Sequence, residues 1–236
     1  MPRGPRSSRF RRPWRNRDPD VRQDGAPENA ARAMRAATRS DLYASFAHAF
    51  TYPDGGWVAA IRAGDVAARL KALCSALEPE PPFAPDCAAL ANAGEGDDDL
   101  AVEYTRLFDT GAVSLHGGHH HGARMQVMEE VLRFYEHFGL APDPTRNELP
   151  DHLVSELEFM HYLAHREAAA WSDGLDPGPF RRAQCDYLAR QLGRWAPRLH
   201  GHLLGQDALP FFVEVARLLA AFLESERNLP GAARAA

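Results

Sequence analysis

Three groups of residues have types and spacing that suit chemistry, and the first is a run of histidines. His116 is followed by His119, His120 and His121 within a Gly-rich stretch. Imidazole nitrogens bind zinc, copper and nickel. Adjacent histidines rarely aim at one ion, however, and no cysteine or carboxylate lies at ligand spacing nearby. The pattern favours a Gly-hinged surface loop, with a metal site at these four histidines as the alternative.

The second group is a Glu-x-x-His pair, Glu158 and His161, on a predicted helix. Di-iron bundles use two such pairs and two further glutamates on facing helices, whereas this sequence has one pair. His161 and His165 are spaced i, i+4, but Tyr162 stands where a zinc protease has its glutamate. Phosphate-loop, dinucleotide and nucleophile-elbow motifs are missing from the sequence too. We therefore expect a protein that is not an enzyme and has no catalytic residue.

The third group is the segment 147–153, which reads Asn-Glu-Leu-Pro-Asp-His-Leu. Pro150 fixes its own φ and favours an extended Leu149, which predicts a stiff link between two helices. Asp151 and His152 then stand at a helix start. There a carboxylate can cap free N–H groups, and a histidine can pair with a carboxylate or accept a ligand. A well-capped helix is sufficient to explain the spacing of these residues. The alternative is that they form a recognition site.

Helical periodicity dominates the chain that must position these groups. Apolar stripes predict helices that contain, in order, residues 42–50, 57–77, 100–108, 125–135, 153–164, 188–199 and 211–222. Ser40 and Asp41 are the predicted cap of the first helix, and an interruption is expected at Gly64. Gly139, followed by Leu140, is the predicted C′ glycine that ends the helix containing 125–135. Alternating strand patterns are nearly absent. We predict an all-α fold, a single-domain helical bundle.

Charge is distributed unevenly along the chain. The first 39 residues contain eleven arginines against three aspartates and one glutamate, about +7, so the remainder carries about −12. Residues 1–38 have almost no apolar periodicity, which predicts a disordered Arg-rich arm before a helical domain at 39–227 and a flexible tail at 228–236. Nucleic-acid binding by the arm is an alternative function. The acidic body argues against nucleic acid and suits a basic partner.

Targeting signals are not recognisable in the sequence. No apolar run approaches the ~18 residues that a membrane span needs. Arg11 and Arg12 are followed by Pro13 and Trp14 rather than by the apolar stretch of an export signal. The three cysteines form no Cys-x-x-Cys pair, which is typical of a reducing compartment. We expect a cytoplasmic protein.

Three segments, in this order, resemble the TorD/DmsD/NarJ family of redox-enzyme maturation chaperones, over about residues 40–225. They are Asp41-Leu42-Tyr43 through Phe50-Thr51-Tyr52-Pro53, then Glu103-Tyr104-Thr105-Arg106-Leu107-Phe108, and Glu148-Leu149-Pro150-Asp151-His152-Leu153 with the helix after it. Residues 114–140 are most similar to the branch that serves type II molybdoenzymes. These include nitrate reductase, dimethylsulfide and ethylbenzene dehydrogenases, and selenate and (per)chlorate reductases.

The resemblance implies a TorD-like helical fold and a chaperone rather than a catalyst. Its partner would be the apo catalytic subunit of a molybdenum oxidoreductase together with that subunit's twin-arginine signal peptide. The chaperone would assist insertion of the molybdenum cofactor before export, binding no cofactor tightly and contacting the molybdenum cofactor transiently at most. Matched residue by residue, the hinge or client-binding positions are Glu148, Pro150, Asp151, His152, Tyr104 and Phe108.

Overall fold

The computed structural model describes residues 26–77, 84–142 and 149–227. Within these ranges the backbone is helical apart from loops and one isolated β-bridge, so the all-α prediction is confirmed. In chain order the helices are α1 (Ala26–Ala49), α2 (Gly55–Arg62), α3 (Asp65–Ser75), α4 (Cys87–Leu90), α5 (Asp99–Tyr104), α6 (Arg124–His137), α7 (Leu153–Ser172), α8 (Gly178–Arg190), α9 (Leu192–Trp195), α10 (Leu199–Leu204) and α11 (Pro210–Arg227).

The hydrophobic core lies between α1, α7 and α11. α1 and α7 pack against each other more extensively than any other pair of helices. On the α11 side, the ring of Phe222 lies 4.8 Å from Tyr43 and 5.7 Å from Phe46 of α1, between ring centroids. All three side chains have no exposed surface. Each such buried aromatic contributes roughly 1.5–3 kcal/mol by leaving water, which holds α11 against α1.

α1 begins well before the predicted boundary at residue 38. It starts at Ala26, so the prediction of disorder is wrong from that residue onward. Ala33 and Ala36 are buried in the added turns. Alanine has the highest helix propensity of all residues, and here it also allows close packing, so a segment with little apolar periodicity still forms a helix. Residues 1–25 and the predicted tail lie outside the described residues.

The predicted cap at Ser40 and Asp41 is also wrong, because both residues lie inside α1. Ser40 is buried, and its hydroxyl donates to the carbonyl oxygen of His161 on α7 at 3.0 Å. The imidazole Nδ1 of His161 lies 2.8 Å from the same hydroxyl. His161, the histidine of the Glu-x-x-His pair, therefore joins two helices.

Arg39 forms a buried charged cluster that the sequence did not reveal. Its guanidinium donates to Glu226 at 2.7 Å, to Glu167 at 2.8 Å and to the Gln184 side-chain oxygen at 2.6 Å. The hydroxyl of Tyr43 donates to Glu226 at 3.0 Å. Buried charges persist only when they are paired and hydrogen-bonded. This cluster connects α1 to α7, α8 and α11.

Two predicted glycine breaks are confirmed. Gly64 separates α2 from α3 with a φ of 81°, and Gly139 follows α6 with a φ of 67°. After Gly139, the N–H of Leu140 donates to the Tyr135 carbonyl at 2.9 Å, which closes the helix end.

The single helix predicted over 188–199 is wrong. α8 ends at Arg190, and Gln191 has a φ of −125° and a ψ of −102° before the short helices α9 and α10. Pro197 lacks an N–H, and its ring excludes a regular helix through the preceding turn. The apolar spacing of these residues survives the break, which is why periodicity alone missed it.

None of the helices in the described ranges has the length and apolar character needed to cross a lipid bilayer.

Candidate functional site

A cleft of about 290 Å³ opens where four segments of the chain meet. The segments are the end of α1, the region after α5, the histidine loop (residues 114–122) and the start of α7. The residues that line the cleft are Phe50, Thr51, Tyr52, Tyr104, Asp109, His116 and His152. Aromatic rings, imidazoles and one carboxylate therefore share a single concave surface.

Tyr52 is the exposed aromatic residue of the cleft. Its side chain is 59% exposed, whereas Phe50 and Tyr104 are buried. The rings of Tyr52 and Tyr104 meet edge to face, with centroids 5.4 Å apart. The hydroxyl of Tyr104 donates to the Phe50 carbonyl at 3.2 Å, which fixes the chain just before Tyr52. A large exposed ring held in one position is suited to contact a partner.

The segment after α5 forms a π-helical turn over Thr105–Asp109, in which the N–H of Thr110 donates to the Thr105 carbonyl at 3.0 Å. Such turns occur frequently at functional sites. Phe108 is half-buried and packs 5.0 Å from Tyr104 and 5.4 Å from Phe212, between ring centroids. Phe108 therefore supports the cleft from behind, while Asp109 lines it.

Asp151 is fully buried and joins the histidine loop to the start of α7. Its carboxylate accepts from the Gly118 N–H at 2.9 Å and lies 3.4 Å from the Nδ1 of His116. Burial by itself raises the pKa of this carboxyl, but the bonds from His116 and Gly118 outweigh burial and hold its pKa below the usual value. In this arrangement Asp151 positions the cleft and has no surface to offer a client.

The backbone reinforces the same connection. The Gly117 N–H donates to the Asp151 carbonyl at 2.9 Å, and the Leu153 N–H donates to the Leu115 carbonyl at 2.7 Å. This is the bridge between His116 and His152, whose rings meet edge to face 5.0 Å apart. Two imidazoles from distant parts of the sequence are thereby placed side by side in the cleft.

His152, and not Asp151, caps α7. Its Nδ1 accepts from the Val154 N–H at 3.3 Å, so the predicted cap at Asp151 is wrong. A neutral imidazole that accepts at Nδ1 carries its proton on Nε2. Neither nitrogen of His152 can then take a metal ion unless the cap is broken.

Gly117 and Gly118 are needed because the loop lies so close to α7. A Cβ at Gly117 would be 3.0 Å from the Glu156 Oε1 and 3.0 Å from the Trp195 Nε1. A Cβ at Gly118 would be 3.0 Å from the Asp151 Oδ2. The two glycines therefore permit close approach. The loop lies at the surface, as predicted, and its inner side packs against the body of the protein.

Glu156 lies beneath this loop with no exposed surface. Its Oε1 accepts from the indole N–H of Trp195 at 3.1 Å. Burial raises the pKa of Glu156 to about 8, and the bond from Trp195 opposes that rise without cancelling it. The carboxyl is therefore largely protonated at neutral pH.

His119 and His120 of the loop have structural contacts, whereas the Nε2 of His121 is buried with no hydrogen-bond partner among the described residues. His119 Nδ1 lies 2.7 Å from the Ser114 hydroxyl, and His120 Nε2 lies 2.8 Å from the Ser114 carbonyl. The ring of His120 stacks on Trp195 at 4.9 Å, between centroids. Across the described ranges, no three His, Cys, Asp or Glu side chains converge to hold a metal ion.

The structure brings together only part of the predicted site. His152 and Tyr104 line the cleft, Phe108 lies behind it, and Asp151 is buried beneath it. Pro150 shapes the corner, where its carbonyl accepts from the Tyr135 hydroxyl at 2.9 Å. Glu148 lies outside the described residues, so its role stays a prediction.

Sequence reasoning missed Tyr52, Asp109 and His116 as cleft residues. A signal for Tyr52 existed, since it lies in the segment 50–53 that carries part of the family resemblance. His116 was considered only as a metal ligand. Its pairing with residue 152 is a long-range contact, which no local pattern shows.

Comparison with known proteins identifies relatives of the chain. The family described as nitrate reductase delta subunit matches residues 63–200. The selenate reductase assembly chaperone protein of Thauera selenatis is 37% identical over 138 residues, which cover 56% of this chain and 70% of the relative. The chlorate reductase assembly chaperone protein of Ideonella dechloratans is 34% identical over 148 residues, covering 60% of this chain and 76% of the relative.

A more distant relative is the chaperone protein TorD of Vibrio cholerae, 26% identical over 140 residues, which cover 57% of this chain and 56% of the relative. No solved structure matches the chain. The relatives are named as chaperones and not as catalysts, in agreement with the expectation that the protein is not an enzyme. The family match covers more than half of the chain, which thus belongs to the nitrate reductase delta subunit family.

Proposed function

We propose that this protein is a system-specific chaperone for a molybdenum oxidoreductase. It binds the apo catalytic subunit, with the twin-arginine leader of that subunit in the cleft, and keeps the subunit competent for cofactor insertion before export. The names of the relatives support the chaperone role. The molybdenum client and its leader come from the family resemblance.

One observation supports the cleft as the client-binding site. The three segments that carry the family resemblance each contribute to it, with Tyr52 from the first, Tyr104 from the second and His152 from the third. About fifty residues separate each of these positions from the next. Core packing requires each segment to be helical or turned, but it does not require them to share one concave surface.

The chemistry of the cleft suits an arginine-containing peptide. The exposed face of Tyr52 can stack with a guanidinium, and the carboxylate of Asp109 offers a charged hydrogen bond. Arginine can use both groups at once, because its planar cation stacks on an aromatic face and pairs with a carboxylate. The negative charge of the body would speed the encounter with a basic leader.

The test begins with the gene neighbourhood, where we expect a molybdopterin catalytic subunit with a twin-arginine leader. That subunit is produced with this protein or with the double variant Tyr52→Ala/His152→Asn. Asparagine retains a capping group at the start of α7, and Tyr52 is exposed, so the variant is expected to fold. Leu204→Ala, at an exposed leucine outside the cleft, is the matched control.

Molybdenum content and activity of the client are the readout. We expect both to fall roughly tenfold with the double variant, which corresponds to about 1.4 kcal/mol of lost binding. They should stay unchanged with Leu204→Ala. Full client activity with the double variant would place the client-binding surface elsewhere.

A further inference from the structure

We propose that the Arg-rich segment preceding α1 docks in the cleft of its own chain and competes there with basic peptides. Residues 1–25 contain eight arginines and three aspartates, so they carry +5 and the rest of the chain carries −10. Arg11 and Arg12 lie between two aromatic residues, Phe10 and Trp14. This combination is complementary to a cleft that presents an exposed tyrosine and a carboxylate.

The geometry of α1 determines which arginines reach the cleft. The helix has 24 residues, so it is about 35 Å long, and the cleft begins directly after its last residue. A fully extended chain spans at most about 3.6 Å per residue. Returning along α1 from Ala26 therefore takes about ten or more residues. Arg11 and Arg12 are fourteen or more residues from Ala26 and reach the cleft with slack, whereas Arg22 cannot reach it and Arg17 reaches it only when the chain is fully extended.

The outer side of α1 provides contacts along this path. Met34 is 71% exposed, and Asp41, one heptad further along, is also exposed. At the end of the path, Tyr52 is 59% exposed and faces the cleft that Asp109 lines. A guanidinium of the Arg11–Arg12 pair would stack on Tyr52 and pair with Asp109. An attached segment has a high effective concentration, so weak contacts are sufficient for docking.

The docked segment would make the chaperone autoinhibited towards basic peptides until a tighter ligand displaces it. The docking itself is independent of the proposed function, but its role in client selection rests on that function. The two are separated by an experiment that contains no client.

The experiment measures binding of a fluorescein-labelled peptide with the sequence of residues 7–16, by fluorescence anisotropy. The proteins are the full chain, a variant lacking residues 1–25, Arg11→Glu/Arg12→Glu, and Arg17→Glu/Arg22→Glu as the control of equal charge change. We expect the truncated protein to bind the peptide roughly threefold to tenfold more tightly than the full chain, because removing the segment removes a weak intramolecular contact. Arg11→Glu/Arg12→Glu should behave like the truncation and Arg17→Glu/Arg22→Glu like the full chain.

A second comparison locates the binding surface. In the truncated protein, Tyr52→Ala/Asp109→Asn should weaken peptide binding at least threefold, and Leu204→Ala should not change it. Equal peptide affinity for the full chain and the truncated protein would overturn the proposal. Equal peptide affinities for Arg11→Glu/Arg12→Glu and Arg17→Glu/Arg22→Glu would also overturn it, because they would show general charge attraction. An affinity difference between the full chain and the truncated protein that varies with protein concentration would overturn it too, because it would show that a second copy occupies the cleft.

Discussion

The Asp151 carboxylate accepts the backbone N–H of Gly118 at 2.9 Å, across 33 positions of sequence. This bond fixes the histidine loop on the first turn of α7 and so places His116 beside His152. Asp151, which lies in the segment 148–153 that resembles the family signature, therefore acts from below the cleft. Asp151 holds other residues of the cleft in place.

Replacing Asp151 should destabilise the protein and loosen the loop. Asp151→Ala leaves the Gly118 N–H without its acceptor, which we expect to lower the free energy of unfolding by about 1–3 kcal/mol in urea denaturation at pH 7. Asp109→Ala, at an exposed carboxylate, should change it by no more than about 0.5 kcal/mol.

The same comparison has a defined pH dependence. The pKa of Asp151 is lowered in the folded protein, so its stabilisation is present above the pKa of the unfolded chain and is lost as pH falls through the folded pKa. The wild type and Asp151→Ala should therefore approach equal stability in acid. A difference that persists unchanged at low pH would contradict the assignment of an ionised carboxylate.

Glu156 should make stability fall as pH rises. Its folded pKa of about 8 lies above the ordinary glutamate value of 4.5, so the unfolded chain ionises first. Between these two values the free energy of unfolding should decrease by up to about 1.4 kcal/mol per pH unit because of this group. Glu156→Gln should remove that component. Urea titrations from pH 5 to pH 9 measure it, and parallel profiles for both proteins would show that Glu156 is ionised throughout.

Gly118 should not tolerate alanine. A Cβ there would be 2.9 Å from the Arg124 Cγ and 3.0 Å from the Arg124 Cα, and the backbone atom cannot move independently. We expect Gly118→Ala to cost about 1–3 kcal/mol in thermal unfolding. Gly201→Ala is the control, because no atom lies within 4 Å of its Cβ position in α10. That change should be neutral or stabilise by up to about 1 kcal/mol.

Arg39 should be among the residues most sensitive to substitution. Arg39→Leu leaves the Glu226 carboxylate buried without its cation and leaves Glu167 with only the more distant Arg181, at 3.6 Å, which we expect to cost about 3–5 kcal/mol. Arg133→Leu removes an exposed arginine 3.8 Å from Glu129 and should change stability by less than about 1 kcal/mol. Chemical denaturation of the two variants compares them directly. A similar small loss for both would show that the buried cluster contributes little.

The sequence alone determined the helical class, the breaks at Gly64 and Gly139 and the segment around Asp151 as the place to examine. These features depend on periodicity, glycine conformation and proline geometry, which act within a few residues. The early start of α1 and the break at Gln191 were missed. Packing of alanines outweighed the apolar pattern at the start of α1. Pro197 explains the irregular turn after α9, but it lies six residues beyond Gln191 and does not explain the break there.

Only the tertiary structure decided which residues meet. It placed Asp151 inside, His152 at the cap, and Tyr52 with Asp109 in the cleft. The physical reason is that these roles depend on contacts between segments far apart in the chain, such as Asp151 with Gly118 and Arg39 with Glu226. A buried charge or a close glycine contact is defined by its partner, and the local sequence does not specify that partner.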